Sequence, residues 1–165
     1  MNMVRNYASR LVIAAALAGI LAACSSETPA GSSAGAAPAV LKERHDNFEE
    51  IGDAFKAVRG ELEKGAPDFT LIAAKAGDIN TRAQLIESHF PAGTSVEDGF
   101  KTEALPAIWA KPEEFKAASQ KLIDESAKLA TIAGGGDAAA VGAQAKAMGG
   151  TCKGCHDQFR LDDKK

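Results

Sequence analysis

Apolar residues recur at intervals of three and four through Leu41, Phe48, Ile51, Phe55, Val58 and Leu62, drawing one stripe along a helix over residues 40–63. Phe69, Ile72, Ala76, Ile79, Ala83, Ile86 and Phe90 repeat the pattern, and Asp68 stands where a helix cap belongs. Pro91, Gly93, Gly99 and Pro106 then break the period, so residues 91–111 read as a long connection carrying the only tryptophan, Trp109. A third stripe starts at Pro112, a residue suited to a first helical turn, and runs through Phe115, Ala118, Leu122, Leu129 and Ile132. Gly134, Gly135 and Gly136 stop it. They follow a helix and lack the Gly-Lys-Ser/Thr ending, which excludes a phosphate-cradling loop. Asp137 caps a fourth stripe of Val141, Ala145, Met148, Cys152, Cys155 and Phe159. No segment alternates with the period of two that a strand requires. Four helices of this kind predict an all-α fold, an antiparallel four-helix bundle.

The first 39 residues belong to a different pattern. Arg5 and Arg10 precede an apolar run from Leu11 to Leu21, too short to span a bilayer comfortably, so residues 1–23 read as an export signal. Leu21-Ala22-Ala23-Cys24 resembles a bacterial lipobox, in which Cys24 would carry the lipid and become the first residue of the mature chain. The alternative is an ordinary secretory peptide cleaved nearby, with Cys24 incidental. Residues 24–39, nearly all Ser, Ala, Gly and Pro, cannot bury enough apolar surface to offset the entropy of ordering them and read as a flexible tether. The folded domain is then 40–165.

Composition narrows the class further. At 165 residues the chain holds one domain, and an ordinary apolar content of 45% excludes wholesale disorder. The formal charge of −3 falls to −5 when Arg5 and Arg10 leave with the signal, which offers no positive field for nucleic acid. Serine after Cys24, rather than aspartate, points to the outer membrane of a Gram-negative envelope, on its periplasmic side.

The three cysteines carry the chemistry. Cys152-Lys153-Gly154-Cys155-His156 is the C-x-x-C-H signature of covalent c-type haem attachment. On a helix, positions i, i+3 and i+4 share a face, so two thiols can form thioethers with one haem while His156 offers a nitrogen to its iron. A thioredoxin-like pair would need an α/β fold, and a structural zinc site four ligands; neither requirement is met by this sequence. With Cys24 lipid-bearing, no free thiol or disulfide is left over.

The motif at the C-terminal end, continued by Asp157-Gln158-Phe159-Arg160, together with Pro106-Ala107-Ile108-Trp109, Phe115, and Arg44 four residues before Phe48, resembles cytochrome c′, the four-helix class II c-type cytochromes. The resemblance spans about residues 40–165. It implies one covalently bound haem c with His156 as proximal ligand, Phe48 over the opposite face, Arg44 beside a haem propionate, and Phe159 and Arg160 on the proximal side. Low-spin members carry Met where this chain has Phe48. The resemblance therefore implies five-coordinate iron that takes NO or CO under an apolar lid. Met1 and Met3 lie in the signal and Met148 shares a helix with His156, so no methionine is placed to ligate from the opposite side.

Two functions follow. One is capture of NO without turnover of a substrate; the other is one-electron transfer to a periplasmic redox partner, with His45 as sixth ligand of a low-spin haem. Weak peroxidase activity lacks a distal acid or base other than His45. His89 reads as a surface histidine and Trp109 as packing between loop and bundle. Family members are often homodimers through their first two helices, although no self-complementary apolar patch is legible here.

Overall fold

The computed structural model describes residues 36–162. The export signal, Cys24 and most of the tether lie outside the described residues. Five α-helices make up the order: α1 (Ala36–Leu62), α2 (Phe69–Ala83), a four-residue α3 (Ala107–Ala110), α4 (Pro112–Ala133) and α5 (Ala138–Phe159). The four long ones form the expected four-helix bundle, with α1 against α2, α2 against α4 and α4 against α5. Helix α1 begins at Ala36, before the first apolar stripe, so the last residues read as tether are helical.

Most of each predicted stripe is buried or packed against the core. Val58, Ile72, Ala76, Leu129 and Val141 are fully enclosed, and the many alanines let the helices approach closely. Polar ties set their register: Asn80 Nδ2 on α2 donates to Ile123 O (2.8 Å) and Ser126 Oγ (3.2 Å) on α4, and Gln144 on α5 donates to Glu125 O (3.0 Å) on α4. Asp68 caps α2 through Leu71 N (3.0 Å), and Asp137 caps α5 through Ala139 N (2.9 Å) and Ala140 N (3.1 Å). Gly136, at φ 72°, takes the left-handed conformation that reverses the chain between α4 and α5.

The second stripe does not stay helical to its end. Helix α2 stops at Ala83, and a turn followed by a 3₁₀ turn at Glu87–His89 carries the chain to Phe90. Phe90 precedes Pro91, whose ring disfavours α-helical backbone in the residue before it, and Phe90 sits at φ −122°, ψ 59°. The apolar spacing persisted past Ile86 because Phe90 still points inward, although the backbone beneath it has changed.

Candidate haem site between α1 and α5

Three sides of the bundle are closed and the fourth is not. Helices α1 and α5 approach each other far less closely than the other neighbouring long helices. They meet at Phe55 and Gly149, where a Cβ on the glycine would stand 3.2 Å from the Phe55 ring. Beyond that contact the seam opens into a groove of about 440 Å³ lined by Arg59, Leu62, Gly142, Ala145 and Lys146. Late residues of α1 thus face early residues of α5, so the pair is antiparallel. One heptad from Phe55 and one from Gly149, a rise of about 10.5 Å on each helix, brings Phe48 level with His156.

The attachment motif lies on the last turns of α5. Cys152 and Cys155 are half-buried, both thiols free, and packed against the core. Burial pushes the Cys152 thiol up, and burial together with the neighbouring Cys152 pushes Cys155 up to about 11. Both are neutral thiols at physiological pH, the opposite of the depressed pKa that marks a thioredoxin-like nucleophile. His156 is exposed on the last turn of α5, and partial desolvation first, and then Arg160, push its imidazole down. Among the described residues no group of three or more His, Cys, Asp or Glu side chains could hold a metal ion.

A chain of rings joins the end of α5 to α1. Phe48 lies 6.2 Å from Phe90, Phe90 4.9 Å from Phe115, and Phe115 5.3 Å from Phe159, all edge to face. Trp109 sits 6.3 Å from Phe90 and donates through Nε1 to Phe90 O (3.0 Å) and Pro91 O (3.1 Å), which ties the long connection to the bundle as packing. Phe159 is a core residue joined to this chain, only 3% exposed. The sequence places Phe90 only as the last member of the second stripe, yet it is the ring that links Phe48 to the rest.

Arg44 is buried, at 4% exposure, and its guanidinium stacks over Phe90 at 4.6 Å. It donates to Thr94 Oγ1 (3.3 Å), Thr94 O (3.1 Å) and Thr102 Oγ1 (2.7 Å). These acceptors are neutral, no carboxylate among the described residues pairs with it, and burial pushes its pKa down. A buried cation without a counter-ion is costly. His89 differs from its expected surface position, because Nδ1 is enclosed and without a hydrogen-bond partner among the described residues. His45 is 71% exposed and faces Glu49 at 3.4 Å, on the solvent side of α1. Arg160 is tied to Glu103 through Nε at 2.5 Å.

Two neutral thiols and an imidazole on one helical face, a run of packed rings, and a buried cation with only neutral acceptors among the described residues together suit a flat, dianionic, covalently held group. A family profile described as Cytochrome C′ matches residues 39–160.

The chain belongs to the cytochrome c′ family.

Cytochrome c′ of Rhodospirillum rubrum is 36% identical over 156 residues, 93% of this chain and 99% of the relative. The crystal structure of cytochrome c′ from Rubrivivax gelatinosus matches with a TM-score of 0.65 at 34% identity, covering 73% of this chain and 94% of the other. A nitric oxide complex of a variant cytochrome c′ from Alcaligenes xylosoxidans matches with a TM-score of 0.67 at 27% identity, covering 76% and 97%. Cytochromes c′ carry one covalently attached haem c, so the cofactor expected from C-x-x-C-H stands.

The Phe55–Gly149 contact should behave as the floor of the seam. Gly149→Leu is expected to push α1 from α5 and cost about 1–3 kcal/mol of stability. Gly150→Ala, where a Cβ meets nothing within 4 Å, should gain up to about 1 kcal/mol from helix propensity. Denaturant midpoints of the two variants check this. Equal midpoints would mean that the contact does not hold the helices.

Proposed function

We propose that this cytochrome c′ is a ligand-binding haem protein that takes up NO, and CO, at a five-coordinate iron. Cys152 and Cys155 form the thioethers, His156 supplies the proximal nitrogen, and Phe48 covers the opposite face. Arg44 supplies the missing ion pair to a propionate, while Phe159 and Arg160 lie on the proximal side. The haem, when bound, offers one open coordination position to a small diatomic and one electron for exchange. What supports the reading is that Phe48, which has no ligating atom, lies one heptad from Phe55 just as His156 lies one heptad from Gly149, the residue that meets Phe55. The Phe48 ring excludes water and offers no hydrogen bond to a polar bound ligand, which favours NO and CO over dioxygen. The nitric oxide complex of the Alcaligenes xylosoxidans relative supports this choice of ligand.

The test is a pair of ferric and ferrous absorption spectra, repeated after adding NO. High-spin spectra that shift on NO addition are expected. A low-spin spectrum that does not shift would overturn the reading in favour of the electron carrier with His45 as sixth ligand. Since the His45 side chain is turned to solvent, His45→Ala should leave the spin state unchanged in the same spectra.

The protein works on the periplasmic side of a Gram-negative envelope, held there by a lipid on Cys24 and with a periplasmic redox partner for its one-electron chemistry. Outer-membrane placement follows from Ser25. No helix among the described residues is long and apolar enough to cross a membrane. A homodimer through α1 and α2 would cover Leu71, exposed on α2, and Leu85, exposed in the turn that follows it.

A further inference from the structure

We infer that the groove between the late turns of α1 and the early turns of α5 binds an amphipathic carboxylate, a single medium-length acyl chain with an ionised head. Its volume of about 440 Å³ is that of a small-ligand site. The Phe55–Gly149 contact closes one end, and Cys152, Cys155 and His156 lie beyond that contact along α5. Gly142, Ala145 and Gly149 recur on α5 at intervals of three and four. One helical face therefore presents almost no side chain to α1 over about 10.5 Å. Phe55 and Leu62, partly buried and packed against the core, line the opposite wall, and Ala145, 3% exposed, lies at the base.

Close packing accounts for only one of the two glycines. A Cβ at Gly149 would stand 3.2 Å from the Phe55 ring, whereas one at Gly142 would meet nothing within 4 Å. Glycine inside a helix is destabilising relative to alanine, and at Gly142 no close neighbour offsets that loss. The rim supplies charge. Arg59 on α1 and Lys146 on α5 are exposed, and neither makes an ion pair among the described residues. The Arg59 guanidinium instead lies 5.6 Å from the centroid of the Phe55 ring. Glu63 is the one carboxylate in the lining and is likewise outside any ion pair, which leaves an excess of positive charge. An apolar trough with such a rim selects an apolar tail, laid on Phe55, Leu62 and Ala145, and an anionic head between Arg59 and Lys146. A singly charged carboxylate matches that excess, whereas a dianionic phosphate would meet Glu63. A ligand seated there bridges α1 and α5, the least closely packed of the neighbouring long helices, and stabilises the pair by mass action.

The test uses the haem-loaded full chain, with octanoate as the probe, octanol as its uncharged counterpart, and titration calorimetry as the readout. Octanoate should bind saturably and leave the visible haem spectrum unchanged, and octanol should bind at least about threefold more weakly. Gly142→Leu, which fills the trough where a Cβ meets open space, should weaken octanoate binding at least about tenfold. Arg59→Gln and Lys146→Gln should each weaken it about threefold, and high salt should shrink that difference. The two cation variants keep the test decisive if Gly142→Leu does not fold. Absence of saturable binding to the wild type, equal binding of octanol and octanoate, or binding unchanged in the variants overturns the inference. So does a spectral change that survives in Gly142→Leu, since it would put the carboxylate at the iron.

Discussion

A chain in which Cys152 and Cys155 are both replaced by alanine is expected to carry no covalent haem and to lose the visible spectrum on denaturing gel filtration, where the wild type keeps it. Thioether formation adds each thiol across a vinyl group, and only these two thiols exist among the described residues. They sit one turn apart on one face of α5, half-buried and neutral, which is the state in which an S–H bond can add. Either single variant should retain one thioether and migrate with haem attached. The double variant should also be markedly less stable, since α1 and α5 touch closely at Phe55 and Gly149 and would otherwise face each other across a gap. Haem staining after denaturation, together with a denaturant melt, checks both parts. Stained protein from the double variant would overturn the attachment assignment.

Arg44→Leu is expected to have the second-largest effect, a loss of about 3–5 kcal/mol in the haem-loaded protein, because it would strand a propionate in the place where its counter-ion was buried. Thr102→Val removes one of the three hydrogen bonds Arg44 makes to the long connection and should cost only about 1–2 kcal/mol. The reduction potential separates the two contributions. Losing a cation beside the cofactor leaves more negative charge near the iron and favours its ferric form, so the potential of Arg44→Leu should fall. Thr102→Val should leave it unchanged. Equal stability losses and equal potentials would mean that Arg44 serves only to fasten the loop over Phe90.

The buried guanidinium also explains how one residue serves two elements. Arg44 reaches from α1 across Phe90 to Thr94 and Thr102, so its side chain holds the connection down over the aromatic rings. Trp109 fastens the connection again through the Phe90 and Pro91 carbonyls, and the bridge at Ala104 and Arg160 fastens its far end to α5. A segment that reads as irregular in sequence is thus anchored at three places around the candidate site.

The sequence by itself determined the helices, the caps at Asp68 and Asp137, the stop at Gly134–Gly136, the haem attachment motif and the family, because each of these is written in local spacing: three and four for a buried stripe, three and four again for two thiols and an imidazole on one helical face. Phe48 was legible as a candidate lid only through resemblance. The antiparallel register of α1 and α5, which the Phe55–Gly149 contact fixes, is recorded by no local pattern. The end of α2 at Ala83 escaped the periodicity because Phe90 remains inward-facing while Pro91 forces a different backbone beneath it. The enclosure of His89 Nδ1 and the neutral surroundings of Arg44 likewise had no sequence signal, since burial depends on what the rest of the chain places around a residue. Glu103 is the clearest case. Lying 57 residues from Arg160 in the chain, it meets that side chain only because the long connection returns to the end of α5, and a charge pair made across such a separation is decided by the tertiary fold alone.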